Sequence, residues 1–171
     1  DVAVGANGAT AIVTPNSRDS AMWKRYRGGM AGQIWLRPAG AERFLRVLRD
    51  GNDDHDGIYA AAGRYAVGWI EGRLIFSSDM GAVLPDKPGE QAQIWSVDGY
   101  GSDLRQHTHH DFSHGYVRDP RTDGQTIVYH ARGRLYAMTG LDAEPAKIPI
   151  ELGIGAPAPV WVEPTDRLER I

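Results

Sequence analysis

The 171-residue sequence contains no cysteine, which excludes disulfide bonds and thiolate chemistry and fits a reducing compartment. It has no apolar run close to the roughly 20 residues of a membrane-spanning helix. No segment keeps a helical spacing of apolar residues over about twelve positions, which argues against a helical fold. The net charge is only −3, so the chain has no general attraction to nucleic acid or anionic membranes. We therefore expect neither as a partner.

What the sequence does contain is turn residues and aromatic residues that favour strands. There are 21 glycines, 10 prolines, five tryptophans and seven tyrosines. Hydrophobic residues make up 42% of the chain, and 171 residues are enough for one domain with a sizeable core. The composition therefore predicts a globular domain built from short strands and many turns.

Three stretches of the sequence resemble one another and divide the chain into units. GQIWLRP, AQIWSVDG and GRLYAMTG each hold a short apolar strand, centred on Trp35, Trp95 and Tyr136. Each has two candidate strands before it and one after it, separated by turn signals such as Asp98-Gly99. Four strands per unit, at a spacing of roughly 40–50 residues, are typical of propeller blades. We therefore predict an all-β fold, a β-propeller segment of about three four-stranded antiparallel blades, with a three-unit β-sandwich as the alternative.

This reading sets the predicted domain organisation. Residues 1–152 form the partial β-propeller, and residues 153–171 form a Pro-rich linker and the start of a following strand. The first strand of each blade faces the channel, so residues 65–70 and 114–118 are the expected channel-facing segments.

Three blades cannot close a ring, since propellers need at least about four. We expect the two end faces to carry the large apolar residues of strands such as LIF (74–76) and IVY (127–129). An exposed apolar sheet face favours association. The isolated chain should therefore pair with another copy, aggregate, or stay loose until the missing blades are supplied.

Several segments resemble the tricorn protease family, in order and with compatible spacing over roughly residues 10 to 152. They are WKRYRGGMAGQIW (23–35), GRLIFSSDMG (72–81), QIWSVDGYGSDLRQHT (93–108), TDGQTIVYHARGRLYAM (122–138) and KIPIEL (147–152). The resemblance implies about half of a six-bladed propeller, which precedes a seven-bladed propeller and a catalytic region with a PDZ-like module. Two segments depart from the family: MGAVLPDKPGEQ is longer than expected, and DGIYAAAGRYAVGW is an unusual lead into a blade.

The resemblance also implies a function. The chain would be a non-catalytic part of a serine peptidase that gates or channels peptides to or from a sequestered active site in the cytoplasm. Expected partners are peptides, the remaining blades and catalytic domains of the parent chain, and further copies of the parent. The alternatives are a stand-alone protein-binding propeller and a propeller that covers an α/β-hydrolase.

The stretch DLRQHTHHDFSH (103–114) raises the question of a zinc site, because imidazole and carboxylate are zinc ligands. In the strand register His107 and His109 share a face, while His110 falls in the turn. His114 would begin the inner strand of the next blade, across the radius of the propeller. The ligands would then not converge, so we predict structural polar roles and no metal.

Other motifs give only candidates for binding. The segment DGNDDHDG (50–57) echoes the opening of a calcium loop, but it lacks the acidic twelfth position and the flanking helices. No serine lies in a nucleophile motif, and Ser102 close to His107 is ordinary for a turn beside a strand. We therefore predict no catalytic residue and no cofactor in this chain. The candidate binding residues are Lys24, Arg25, Arg27, Trp69 and Arg118.

Overall fold

The described part of the chain, in a computed structural model, comprises residues 1–15, 30–47, 63–83 and 91–151. It forms three four-stranded antiparallel sheets, in which the strands follow one another in chain order. Sheet 1 contains β1 (Val2–Val4), β2 (Thr10–Thr14), β3 (Gln33–Arg37) and β4 (Leu45–Arg46). Sheet 2 contains β5 (Arg64–Ile70), β6 (Arg73–Ser78), β7 (Gln93–Val97) and β8 (Arg105–Gln106). Sheet 3 contains β9 (Val117–Thr122), β10 (Ile127–Ala131), β11 (Arg134–Met138) and β12 (Ala146–Ile148).

A single turn of 3-10 helix, Met80–Val83, follows β6. Within the described ranges no helix is long and apolar enough to cross a membrane. The predicted linker, residues 153–171, lies outside the described residues, so that domain boundary stays a prediction.

Two hairpins show how local sequence sets the strand register. β5 turns into β6 at Glu71 and Gly72, and β10 turns into β11 at Arg132 and Gly133. All four residues have positive φ, between 48° and 74°. Two-residue turns of this hand match the right-handed twist of the flanking strands, and glycine tolerates the conformation freely. The connection between β10 and β11 is therefore a tight two-residue turn.

Sheet 2 lies between the other two sheets. In β7 every residue is buried, and in β6 every residue but the first. In β2, β3, β10 and β11 buried residues alternate with more exposed ones. Because successive side chains point to opposite faces, sheet 2 is covered on both faces and the outer sheets on one. One apolar cluster joins sheets 1 and 2, and a second joins sheets 2 and 3. Three sheets stacked in succession confirm the propeller segment and not the sandwich.

The predicted composition of the end faces is wrong for LIF (74–76) and for two of the three residues of IVY (127–129). Leu74, Ile75 and Phe76 are fully buried, because their sheet is the middle one and packs on both neighbours. Ile127 and Tyr129 also point inward, and only Val128 between them is exposed. The alternation of side-chain direction along a strand assigns these residues to faces of their own sheets, but it does not determine which neighbouring sheet covers each face. Among the described residues, the large apolar side chains exposed in sheet 1 and beside it are Val2, Val4, Met30, Trp35, Phe44 and Leu45.

The first strands of the three sheets lie together on one side of the stack. β5 contacts both β1 and β9, whereas each fourth strand has its own third strand as its main neighbour. A backbone hydrogen bond repeats along this side. The Arg64 N–H donates to the Gly32 carbonyl at 2.9 Å, and the Val117 N–H donates to the Ala92 carbonyl at 3.0 Å. The sheets therefore fan out from a common inner side, as blades do.

Candidate functional site

The inner side formed by β1, β5 and β9 is the candidate site, because it is where a propeller has its channel. Trp69 of β5 is half-buried, and its indole Nε1–H donates to the Ala3 carbonyl of β1 at 3.3 Å. Its ring also packs against the cluster between sheets 1 and 2. The predicted binding candidate Trp69 is thus engaged in joining two blades.

Close packing between β5 and β9 depends on a glycine. A Cβ placed on Gly68 would lie 2.8 Å from the Thr122 Cγ2 atom of β9, which is shorter than atoms tolerate. Glycine therefore allows the two inner strands to approach each other. This contact was not predicted from the sequence, where Gly68 was only one residue of an apolar segment.

The exposed charges of the inner side lie mainly on β9. Asp119 has a φ of 48°, and its Oδ2 lies 3.3 Å from the His130 Nε2 atom. The guanidinium of Arg118, a predicted binding candidate, lies 5.5 Å from the centre of the Tyr116 ring. Arg121 has a side chain 53% exposed, and its Nη1 atom lies 3.4 Å from the Asp1 Oδ2 atom. The inner side therefore presents charged side chains of both signs.

Three binding candidates cannot be placed. Lys24, Arg25 and Arg27 lie outside the described residues, and so does the acidic segment 50–57. Their roles stay predictions.

His107 links sheet 2 to sheet 3. Its Nδ1 atom lies 3.1 Å from the Leu141 carbonyl, and its Nε2 atom lies 2.7 Å from the Ser96 hydroxyl. A carbonyl oxygen only accepts, so Nδ1 carries the proton and Nε2 accepts from Ser96. Burial lowers the pKa of His107, and the nearby Arg73 guanidinium adds to the effect. The imidazole therefore works here as a neutral bridge.

The Ser96–His107 pair has the atoms of a serine–histidine dyad but not its surroundings. Ser96 is fully buried, and its hydroxyl already accepts a hydrogen bond from Arg73 Nε at 2.7 Å. A nucleophile needs open space where the substrate carbonyl can sit. The arrangement is that of a structural link. Ser102 was considered in the sequence because it lies close to His107. Its backbone N–H donates to the Asp98 carboxylate in a turn.

His110 forms a second link between the same sheets. Its Nε2 atom lies 2.8 Å from the Tyr129 hydroxyl of β10, and its backbone N–H and carbonyl both bond the Gln93 amide of β7. The ring meets Tyr136 edge to face at 5.2 Å between centroids. Burial lowers the pKa of His110 to about 4, with a further contribution from the neighbouring His114.

The predicted position of His114 is wrong. It lies in the turn before β9 and not across the radius, with its ring centroid 5.1 Å from that of His110. Asp111 causes this, because its carboxylate accepts hydrogen bonds from the backbone N–H groups of Ser113 and His114 and folds the chain back. Hydrogen bonds from the Ser113 and His114 side chains, together with these backbone bonds, hold the pKa of Asp111 well below its usual range.

His109 completes the set of histidines in this stretch. It is exposed, and its Nδ1 atom accepts a hydrogen bond from Gln106 Nε2 at 3.1 Å. Within the part of the chain that the structure describes, no group of three or more potential ligands is placed to hold a metal ion. The contacts of these side chains are thus hydrogen bonds within and between sheets.

Comparison with known proteins gives one consistent result. A family model described as tricorn protease N-terminal beta propeller domain matches residues 1–144. The chain is 36% identical over 154 residues to tricorn protease homolog 1 of Streptomyces coelicolor, covering 90% of this chain and 13% of that protein. It is 30% identical over 129 residues to the tricorn protease homolog of Saccharolobus solfataricus, covering 73% of this chain and 10% of that protein. A solved structure, the crystal structure of the tricorn protease, matches with a TM-score of 0.67 at 27% identity, over 91% of this chain and 13% of that one.

Proposed function

This chain belongs to the tricorn protease N-terminal β-propeller family, and we propose that it forms part of the wall of a passage for peptides. The passage would lead to or from the sequestered active site of a serine peptidase in the cytoplasm. The chain spans 13% or less of the length of the relatives compared above, so catalysis would belong to other parts of the parent protein.

The observation that carries this proposal is the convergence of the first strands on one side. β1, β5 and β9 lie together, and the fourth strands lie at the outside. In a closed propeller the first strands surround the central channel. Side chains such as Arg121 and Asp119 would then contact a peptide in the channel. The width of the channel and the charge of its wall would select which peptides pass.

The proposed structural partners are the remaining blades of the same parent protein. Each sheet carries one aromatic or aliphatic cross-strand pair at the same place: Ile12–Trp35, Phe76–Trp95 and Tyr129–Tyr136. The second and third pairs are buried against the preceding sheet. Trp35 is 36% exposed, whereas its counterpart Trp95 is 5% exposed. Another blade over sheet 1 would bury Trp35 in the same way.

Hydroxyl-radical footprinting of the complete parent protein tests this partner. Trp35 should be as unreactive as Trp95, while Tyr100, which is 78% exposed, serves as the reactive control. A Trp35 that reacts like Tyr100 would mean that no blade covers sheet 1.

The passage itself is tested by reversing a charge on its wall. In the complete protein, Arg121→Glu should lower kcat/KM for long acidic peptides by roughly threefold to tenfold, because like charges repel in a confined channel. Hydrolysis of short uncharged peptides should not change. Arg134→Glu is the matched control, since Arg134 is exposed but lies on the third strand of its sheet.

Equal effects of the two variants on every peptide would argue against a channel wall. The alternative, a stand-alone protein-binding propeller, would be favoured if the complete protein hydrolysed none of these peptides. We further propose that the parent protein assembles with copies of itself, which light scattering of the complete protein would test.

A further inference from the structure

The edge strands of the three sheets differ from the internal strands in length and in the regularity of their pairing. In the described residues, the internal strands β2, β3, β6, β7, β10 and β11 are each five or six residues long. They pair with each other without any register shift. The edge strands β1, β4, β8 and β12 are only two or three residues long. Strands this short offer little backbone to which another chain could pair.

The remaining two edge strands, β5 and β9, are long but interrupted. They have seven and six residues and form the inner edges of sheets 2 and 3. The register of β5 shifts between Tyr65 and Gly68, opposite Phe76. The register of β9 shifts opposite Tyr129, the counterpart of Phe76 in the third sheet. Both long edges therefore carry a bulge at the same place in the blade.

The bulge in β9 also removes regular hydrogen-bonding groups. Asp119 adopts a left-handed φ of 48°, which turns the strand, and the next residue, Pro120, has no N–H to donate. Charged Arg118 and Arg121 flank the bulge. Bulges, prolines and charges are the means by which proteins keep sheet edges from pairing with other chains.

The start of each long edge is already occupied. The Arg64 N–H of β5 and the Val117 N–H of β9 donate to carbonyls of the preceding sheet. With the start bonded and the middle bulged, neither strand keeps more than three consecutive residues of regular pairing. An extended peptide that pairs as an added strand needs a longer regular edge.

We propose that the inner edges of β5 and β9 are built to prevent strand addition, so that an extended peptide passes them without pairing to their backbone. This inference rests on the proposed peptide passage. It means that the passage wall acts on peptides through side chains. Each backbone hydrogen bond that a peptide did make would tighten its binding by roughly fivefold, so a few of them would hold the peptide in place.

The experiment compares two peptides on the complete parent protein. Both have the same extended sequence rich in Val and Thr, but one is N-methylated at every second backbone amide and so cannot pair along one edge. A photo-crosslinking amino acid in place of Arg121 reports which peptide reaches the inner side. We expect both peptides to crosslink, with half-saturation concentrations that agree within about twofold, because no backbone bonds are lost.

Two outcomes would overturn the inference. Crosslinking that N-methylation weakens by roughly tenfold or more would overturn the inference while leaving the passage intact. No crosslinking of either peptide would overturn the passage and the inference together.

Deleting Pro120, which restores equal residue numbers on β9 and β10, should introduce sensitivity to N-methylation, whereas Pro120→Ala, which keeps the bulge, should not. If the deletion variant does not fold, the comparison in the otherwise unaltered protein decides.

Discussion

Acid should loosen the contact between sheets 2 and 3, because His110 has to stay neutral there. The residue is 6% exposed, and its Nδ1 atom is buried without a hydrogen-bond partner. Its Nε2 atom is hydrogen-bonded to the Tyr129 hydroxyl at 2.8 Å. A second proton on this ring would place a charge among aromatic side chains with no acceptor for it. Burial therefore lowers the pKa of His110 to about 4.

The sign and the size of the effect follow from the two pKa values. When the contact opens, His110 returns to an ordinary pKa of about 6.5 and takes up a proton that the closed form does not bind. The free energy that keeps the contact closed is therefore complete above about pH 6.5 and falls until about pH 4. A drop in pKa from 6.5 to about 4 sets an upper limit of roughly 3 kcal/mol. His107, whose pKa is also lowered by burial, acts in the same direction.

Amide exchange of the complete protein, followed by mass spectrometry and corrected for intrinsic rates, measures this free energy locally. The opening free energy of the β10 amides, residues 127–131, should fall between about pH 7.5 and pH 5. His110→Phe keeps an aromatic ring at this position but cannot titrate, so its opening free energy should change much less with pH. His109→Phe, at an exposed position, is the matched control. The reasoning is refuted if His110→Phe keeps the full pH dependence, or if His110 titrates near 6.5 by NMR.

The remaining predictions concern packing, the buried serine and metal. Gly68→Val should destabilise the complete protein by about 1–3 kcal/mol, measured by denaturation, because the added Cβ atom meets the Thr122 methyl group. Adding Thr122→Ser, which removes that methyl group, should restore part of the lost stability. If it restores none, the clash lies elsewhere. Ser96→Ala should cost about 1–3 kcal/mol by leaving the His107 Nε2 atom unpaired, yet kcat/KM for peptides should not change at a temperature where both proteins are folded. Selective loss of activity would mean that Ser96 is catalytic. Elemental analysis after dialysis should find no stoichiometric metal; about one zinc per chain, lost in His107→Ala and His110→Ala, would contradict this.

Local patterns in the sequence determined the strands and their grouping. Alternating side chains and turn residues act over a few positions, so the segments around Trp35, Trp95 and Tyr136 could be identified as the third strand of each unit. The pattern also predicted one strand after each of these segments but not its length, and β4, β8 and β12 have only two or three residues.

Only the tertiary structure decided what covers each face. Trp35, Trp95 and Tyr136 hold the same place in their sheets, yet they are 36%, 5% and 6% exposed, because a preceding sheet lies against the last two. The bond from His107 to the Leu141 carbonyl joins residues 34 positions apart, and so depends on how two sheets stack. A period of two assigns a side chain to a face of its own sheet. It holds no information about the neighbour that face will meet, since that neighbour is brought there by the packing of the whole stack.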